Sequence, residues 1–263
     1  MLRAADVSFA YGPGLAGLHG VSLDVPRGDL VGILGPNGSG KTTLLRLLGG
    51  MLAPAAGRVT IDGRDLAHIP RREVAKQIAV VPQETRLSFE YSVLEVVLMG
   101  RYPHLGAFEL ESQEDLAIAR EALAATGTLA LEDRLFPTLS GGEKQRVIIA
   151  SALAQSASLM LLDEPTTALD PGYQIEIASL LRRLNAERGV TMAVATHDLN
   201  LAAGLCRRLV LLRQGRVLAV GPTDQVLTRE SVRALYDVEA DVHFHDGAGH
   251  LTVVPIRRAS RPE

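Results

Sequence analysis

The chain has 263 residues, 47% of them hydrophobic and 22% charged, which is enough to build a large core without disulfides or metal staples. A formal charge of −3 and a pI near 6.2 speak against a nucleic-acid partner, and the single Cys206 excludes an internal disulfide and points to a reducing cytoplasm. The opening MLRAADVSFAYG has no basic segment leading into an apolar run, and nothing approaches the roughly 18–20 uninterrupted apolar residues of a spanning helix, so any role at a membrane is expected to run through a partner.

Residues 1–26 alternate in short β-like runs, VSFAY and then LHGVSLDV, with Val21, Leu23 and Val25 on one face. DLVGILG (29–35) is a short apolar run that breaks at glycine, the pattern of a buried parallel strand. TTLLRLLGGML predicts a helix closed by Gly49 and Gly50, and GRVTIDG (57–63) a short strand with Val59 and Ile61 inward. From about 87 to 155 the strand patterns vanish and helical segments such as EDLAIAREALAAT (114–126) take over, which reads as a helical insertion in an α/β core. The strand–helix rhythm returns with SLMLLDE (158–164), a helix over roughly 173–188 and TMAVATHD (191–198). RRLVLLRQGRVLAVG (207–221) predicts a hairpin turning at Gln214–Gly215.

Three stretches carry chemistry. GPNGSGKT, from Gly35 through Pro36, Asn37, Gly38, Ser39, Gly40 and Lys41 to Thr42, fits G-x-x-x-x-G-K-[ST] after an apolar strand and before a helix. Its glycines let successive N–H groups converge on phosphate; Lys41 is expected to reach the β- and γ-phosphates, Thr42 to hold Mg²⁺, and Thr43 to complete the cradle. LMLLDEP (159–165) is a buried strand delivering Asp163 and Glu164 at its C-terminal end, where ligands of open α/β sheets gather. Asp163 is expected to bind Mg²⁺ through water and Glu164 to polarise the attacking water as general base. In TLSGGEKQR (138–146), Ser140, Gly141 and Gly142 stand at an expected helix N-terminus, whose bare N–H groups suit a second anion.

Together these residues resemble the ATP-binding cassette (ABC) ATPases over nearly the whole chain. LSGGE (139–143) looks like their signature sequence, flanked in the family's order by the P-loop and by the acidic strand. Gln83 in VVPQE matches the Q-loop, a catalytic and Mg²⁺-contacting position; ALD (168–170) matches the D-loop, His197 in ATHD the switch histidine and Tyr11 in FAYG the adenine-stacking aromatic. The resemblance implies an α/β P-loop NTPase core with an N-terminal antiparallel β-subdomain, a helical insertion near 87–155 and a C-terminal extension with a β-hairpin over about 222–263, all in one ATPase domain spanning 1–263. It also implies ATP and Mg²⁺ as cofactors, and a head-to-tail homodimer in which Ser140, Gly141 and Gly142 meet the γ-phosphate held by the other copy. Glu143 stands where the commonest signature has Gln, and Asp170 is expected to order the dimer interface.

MGRYPHLG (99–106) resembles the segment with which importers of iron-siderophore, haem and vitamin B12 type dock a separate transmembrane permease; Arg101, Tyr102, Pro103 and His104 could equally form a helix–loop junction. DEPTTALD and VEADVHFHDGAGHLTVVP fit the same subgroup, which implies a peripheral subunit at the cytoplasmic face of the inner membrane, an extracytoplasmic substrate-binding protein and no nucleic acid. An exporter subunit and a soluble iron–sulfur assembly ATPase are the alternatives; a repair ATPase is disfavoured because no long heptad insertion separates Thr42 from Leu139. His243 and His245 share a strand face and His250 could oppose them, but the resembled subgroup ends in a similar hairpin without metal. RREVAK (71–76) is expected to be a solvated helix face and Cys206 a small packing residue.

Overall fold

The computed structural model describes residues 1–12, 17–83 and 89–259. The chain divides into two units, Met1–His68 with Thr191–Glu263, and Ile69–Val190. Residue 87, where the helical insertion is expected to begin, and residues 260–263 of the expected C-terminal extension lie outside the described residues.

The first unit opens with β1 (Leu2–Ala10) and β2 (Gly17–Val25), paired antiparallel from Leu2 opposite Val25 to Ala10 opposite Gly17. On β2, Leu18, Val21, Leu23 and Val25 are buried while Ser22 and Asp24 are exposed, the period of two that the sequence predicts. β3 (Leu30–Leu34) is buried at every position, and α1 (Lys41–Leu48) follows it, closed by Gly49 as expected. β4 (Ala56–Ile61), with Val59 and Ile61 inward, pairs with β1, and β5 (Arg64–Asp65) extends that sheet in the order β2-β1-β4-β5.

The second unit runs from α2 (Arg71–Ala75) and β6 (Ile78–Val81) through α3 (Val93–Leu98), α4 (Gln113–Ala125) and α5 (Gly141–Ala154) to β7 (Leu159–Asp163) and α6 (Pro171–Arg188). No strand occurs among the described residues between β6 and β7, in agreement with the loss of alternation in the sequence. Ser92, Ser112 and Ser140 start α3, α4 and α5 with capping boxes closed by Glu95, Asp115 and Glu143. The three helices pack on one another, and Val93, Val97, Leu123, Val147 and Ile149 on them are buried. β6 and β7 are parallel and end together, Val81 opposite Leu162. α6 starts two residues earlier than its apolar pattern suggests because Asp170 caps it, accepting from Tyr173 N at 3.2 Å, and Pro171 fits the first turn.

The chain then returns to the first unit with β8 (Thr191–Thr196), α7 (Leu199–Leu205), β9 (Arg208–Arg213) and β10 (Arg216–Pro222). β3 lies between β8 and β9, parallel to both. The β9–β10 hairpin turns at Gln214 and Gly215, both with positive φ (48° and 72°), the two-residue turn that the sequence predicts. Last come α8 (Thr223–Val226), α9 (Arg229–Tyr236) and an antiparallel hairpin of β11 (Val238–His245) and β12 (His250–Arg258), packed on α9 and α7. Cys206 is buried, and burial raises its thiol pKa, as befits a packing residue.

Candidate active site

In the first unit, the loop after β3 begins at Gly35, whose N–H donates to Thr196 O at 3.3 Å on the neighbouring β8. A β-carbon on Gly35 would lie 2.2 Å from Leu212 O, so only glycine lets the loop pass this close to β9. Gly38 (φ 77°) and Gly40 (φ 105°) hold left-handed turns, and Gly40 caps α1 with no side-chain bond and no acid in the first turn. The α1 amides therefore keep their positive end open to an anion. Lys41 is 5% exposed, and its ammonium donates to Gly35 O at 2.9 Å and Pro36 O at 3.1 Å, folded back on the loop it is expected to serve. The hydroxyl of Ser39 is buried with no hydrogen-bond partner among the described residues, while Asn37 is exposed. A lining of uncapped amides, a poised ammonium and an unsatisfied hydroxyl fits a polyphosphate.

Tyr11 lies 52% exposed at the end of β1, stacked edge-on against Phe9, with its hydroxyl 3.3 Å from Thr43 Oγ1. One face of the ring is thus presented beside the phosphate loop. Since Leu34 and Thr196 are register partners on β3 and β8, the loop and the exposed His197 leave the same edge of the sheet. Thr42, the expected metal hydroxyl, is the second residue of α1 and half-buried.

In the second unit, the paired ends of β6 and β7 bring exposed Gln83 and buried Asp163 and Glu164 to one edge. Glu164 has φ 48°, an uncommon backbone for a non-glycine residue and the kind of strain held at functional positions. Its carboxylate accepts from Thr167 Oγ1 at 2.9 Å. Thr167 is a partner that sequence reasoning missed; a hydroxyl three residues after a loop acid was its only signal.

At the start of α5, Glu143 Oε2 accepts from Ser140 N at 2.8 Å and Ser140 Oγ from Glu143 N at 3.3 Å. The capping box thus occupies two of the first amides, and helix geometry leaves those of Gly141 and Gly142 directed out of the N-terminus. Gly141 is exposed, but Gly142 is buried beneath Tyr173, whose ring atoms would be 2.2 Å from an added β-carbon. The second glycine is therefore required by packing against Tyr173.

The RYPH segment has buried and exposed members. Arg101, 7% exposed, donates to Asp115 Oδ1 at 2.8 Å and to Ala154 O at 2.7 Å, and His104 Nε2 bonds Gln155 O at 2.8 Å, so both grip the C-terminal end of α5. The Ser112 hydroxyl, and then Arg101, hold the Asp115 carboxyl at a pKa of about 2. Tyr102 instead stands 60% exposed. Arg72, in the run expected to be merely solvated, donates to Pro103 O at 2.8 Å and to Leu105 O. Among the described residues no group of three His, Cys, Asp or Glu side chains is placed for a metal: His243 pairs with Asp241, His245 Nδ1 accepts from Ala248 N, and the His250 ring lies against Gly204. A depression of about 580 Å³ on the antiparallel sheet, lined by Arg3, Asp24, Arg58 and Asp65 among others, holds none of the expected site residues.

The sequence profile of the ABC transporter family matches residues 18–167. A hemin import ATP-binding protein of Gloeobacter violaceus is 44% identical, over 99% of this chain and 96% of that protein. A ferric enterobactin transport ATP-binding protein of Escherichia coli is 38% identical, over 98% and 95%. Among solved structures, a metal-chelate type ABC transporter in an inward-facing conformation superposes with a TM-score of 0.86 at 32% identity, covering 97% of each chain.

Proposed function

The chain belongs to the ABC transporter family, and on that footing we propose that it is the ATP-binding and hydrolysing subunit of an importer, energising uptake of a metal chelate such as an iron-siderophore or haem, or of cobalamin. The observation that carries the reading is the open N-terminus of α1 behind Gly38 and Gly40, with Lys41 and the buried Ser39 hydroxyl turned to the same loop. Tyr11 offers its exposed ring to the adenine, and the phosphates lie in the loop from Gly35 to Thr43, taken by amides beyond Pro36, since proline has no N–H and that of Gly35 is held by Thr196 O. Glu164 acts as general base toward the attacking water, with Thr167 fixing its carboxylate. His197 and Gln83 complete the catalytic set near the γ-phosphate.

The hydroxyl of Thr42, the amide of Gln83 and, through water, the carboxylate of Asp163 are all hard oxygen donors, as Mg²⁺ requires. These residues would hold Mg²⁺, which would supply positive charge against the phosphates. Ser140, Gly141 and Gly142 of a second copy meet the γ-phosphate, which makes the working form a homodimer. No helix among the described residues is long and apolar enough to cross a membrane. The likeness to hemin and ferric enterobactin import ATP-binding proteins supports a homodimer that acts through separate permease subunits at the cytoplasmic face of the inner membrane, fed by an extracytoplasmic substrate-binding protein.

Tagged Glu164→Gln protein, recovered with ATP and Mg²⁺ from detergent-solubilised membranes, tests the reading. It should not turn over ATP, should run as an ATP-dependent dimer and should carry a multi-spanning permease identified by mass spectrometry. Retained turnover removes Glu164 as base, and recovery of soluble scaffold proteins alone overturns the importer reading in favour of iron–sulfur assembly.

A further inference from the structure

Tyr236 ends α9, in a stretch to which the sequence assigns no chemistry. Its hydroxyl donates to the main-chain carbonyl of His197 at 2.8 Å, across 39 residues of sequence. The residues around this bond are fixed from several sides. Asp198 starts α7 by accepting from Asn200 N at 2.8 Å and Leu201 N at 3.0 Å, and its own amide donates to Thr196 Oγ1 at 3.0 Å. Asn200 then pairs with β12 through both ends of its amide: Nδ2 donates to Val253 O at 3.2 Å and Oδ1 accepts from Val253 N at 2.8 Å. The C-terminal end of α9 is held in turn by Arg213, which donates to Ala234 O and, at 2.6 Å, to Asp237 Oδ2.

These bonds leave the backbone from Thr196 to Asn200 little freedom, while the His197 side chain itself is exposed. Orientation of the 197 peptide decides where that imidazole points, and Tyr236 is the side chain that fixes its carbonyl. A phenol is well suited to this, being a neutral donor on a stiff ring with few rotamers to lose. We infer that Tyr236 is a positioning residue for His197, and that α9, through Tyr236, and β12, through Val253 on Asn200, form a clamp that holds the switch histidine ready for the γ-phosphate. This rests on the reading of His197 as a γ-phosphate group.

The test is steady-state MgATP hydrolysis by the full chain bearing Tyr236→Phe, which deletes one oxygen and keeps the ring. Loss of one hydrogen bond to an ordered backbone group should lower kcat about fivefold. KM should stay within about twofold, since no atom of Tyr236 is asked to touch nucleotide. Glu239→Gln is the control: it breaks the exposed 2.6 Å pair with Arg257 in the same hairpin but touches nothing at residue 197, and kcat should not change. An unaltered kcat in folded Tyr236→Phe, or an equal loss in Glu239→Gln, overturns the inference. His197→Ala measured alongside keeps the two questions apart. Wild-type turnover in that variant sinks the role of His197 itself, whereas its loss beside an unaffected Tyr236→Phe sinks only the clamp.

Discussion

Ser140 and Glu143 close on each other across the first turn of α5, each taking the other's main-chain N–H. The bond lowers the pKa of Glu143 chiefly through the Ser140 amide, so the carboxylate is charged at neutral pH and sits at a helix end that is also proposed to meet phosphate. Two anions then compete for one positive terminus. Glu143→Gln retains a capping side chain and removes the charge. The ATP-trapped dimer should tighten by about two- to fivefold, read as a sedimentation or light-scattering dissociation constant. Glu143→Ala loses the cap as well and should cost about 0.5–1 kcal/mol in denaturant unfolding.

The Arg101–Asp115 pair is the least forgiving place in the second unit. Both groups are buried, and Arg101 also satisfies Ala154 O at the end of α5. Arg101→Ala strands the Asp115 carboxylate, and a loss of about 3–5 kcal/mol is expected in denaturant unfolding. Tyr102→Ala, one residue away but exposed, should stay within about 0.5 kcal/mol of wild type.

Asp115 also predicts a pH dependence with a definite sign. Its folded pKa of about 2 lies below the ordinary 3.8, so the unfolded chain binds the proton more readily. The stabilisation is complete above about pH 4 and is lost as pH falls toward about 2. Asp115→Asn should therefore be less stable than wild type near pH 6, and the gap between their unfolding midpoints should narrow on acidification through that window.

Gly35→Ala tests the phosphate loop without touching charge. The new β-carbon would collide with Leu212 O and with Ser39 Oγ, at 2.2 and 2.7 Å. The loop must shift, and binding of a fluorescent ATP analogue should weaken at least tenfold while the helical unit keeps its circular dichroism. Lys41→Ala, which loses the ammonium and its bonds to Gly35 O and Pro36 O, should show a comparable loss of affinity.

The elements that were legible in the sequence are those written in local chemistry. The glycine-bounded run 29–35, the β2 alternation and the Gln214–Gly215 turn each follow from side chains within a few residues of one another, and the structure has them where they were expected. The short motifs stand out for the same reason. What could not be read was long-range pairing. Thr167 on Glu164 leaves a faint local trace, but Tyr236 on His197 and Arg72 on Pro103 and Leu105 join segments whose approach only the fold determines. Arg72 in particular looks like one more solvated cation until the loop it holds is brought beside it. Gly142 shows the opposite limit: its motif was plain, but its burial under Tyr173 was not.

α5 has its anion-facing amides at one end and the Arg101 and His104 contacts at the other, with no proline or glycine between Glu143 and Ala154. Its 14 residues make a rod about 21 Å long at about 1.5 Å per residue. Tipped by about 10° at the Ser140 end, such a rod sweeps its far end through about 4 Å, and the exposed ring of Tyr102 is carried along with it. That is the stroke of a lever pivoting at its Ser140 end, large enough for a neighbouring chain to feel as displaced side chains.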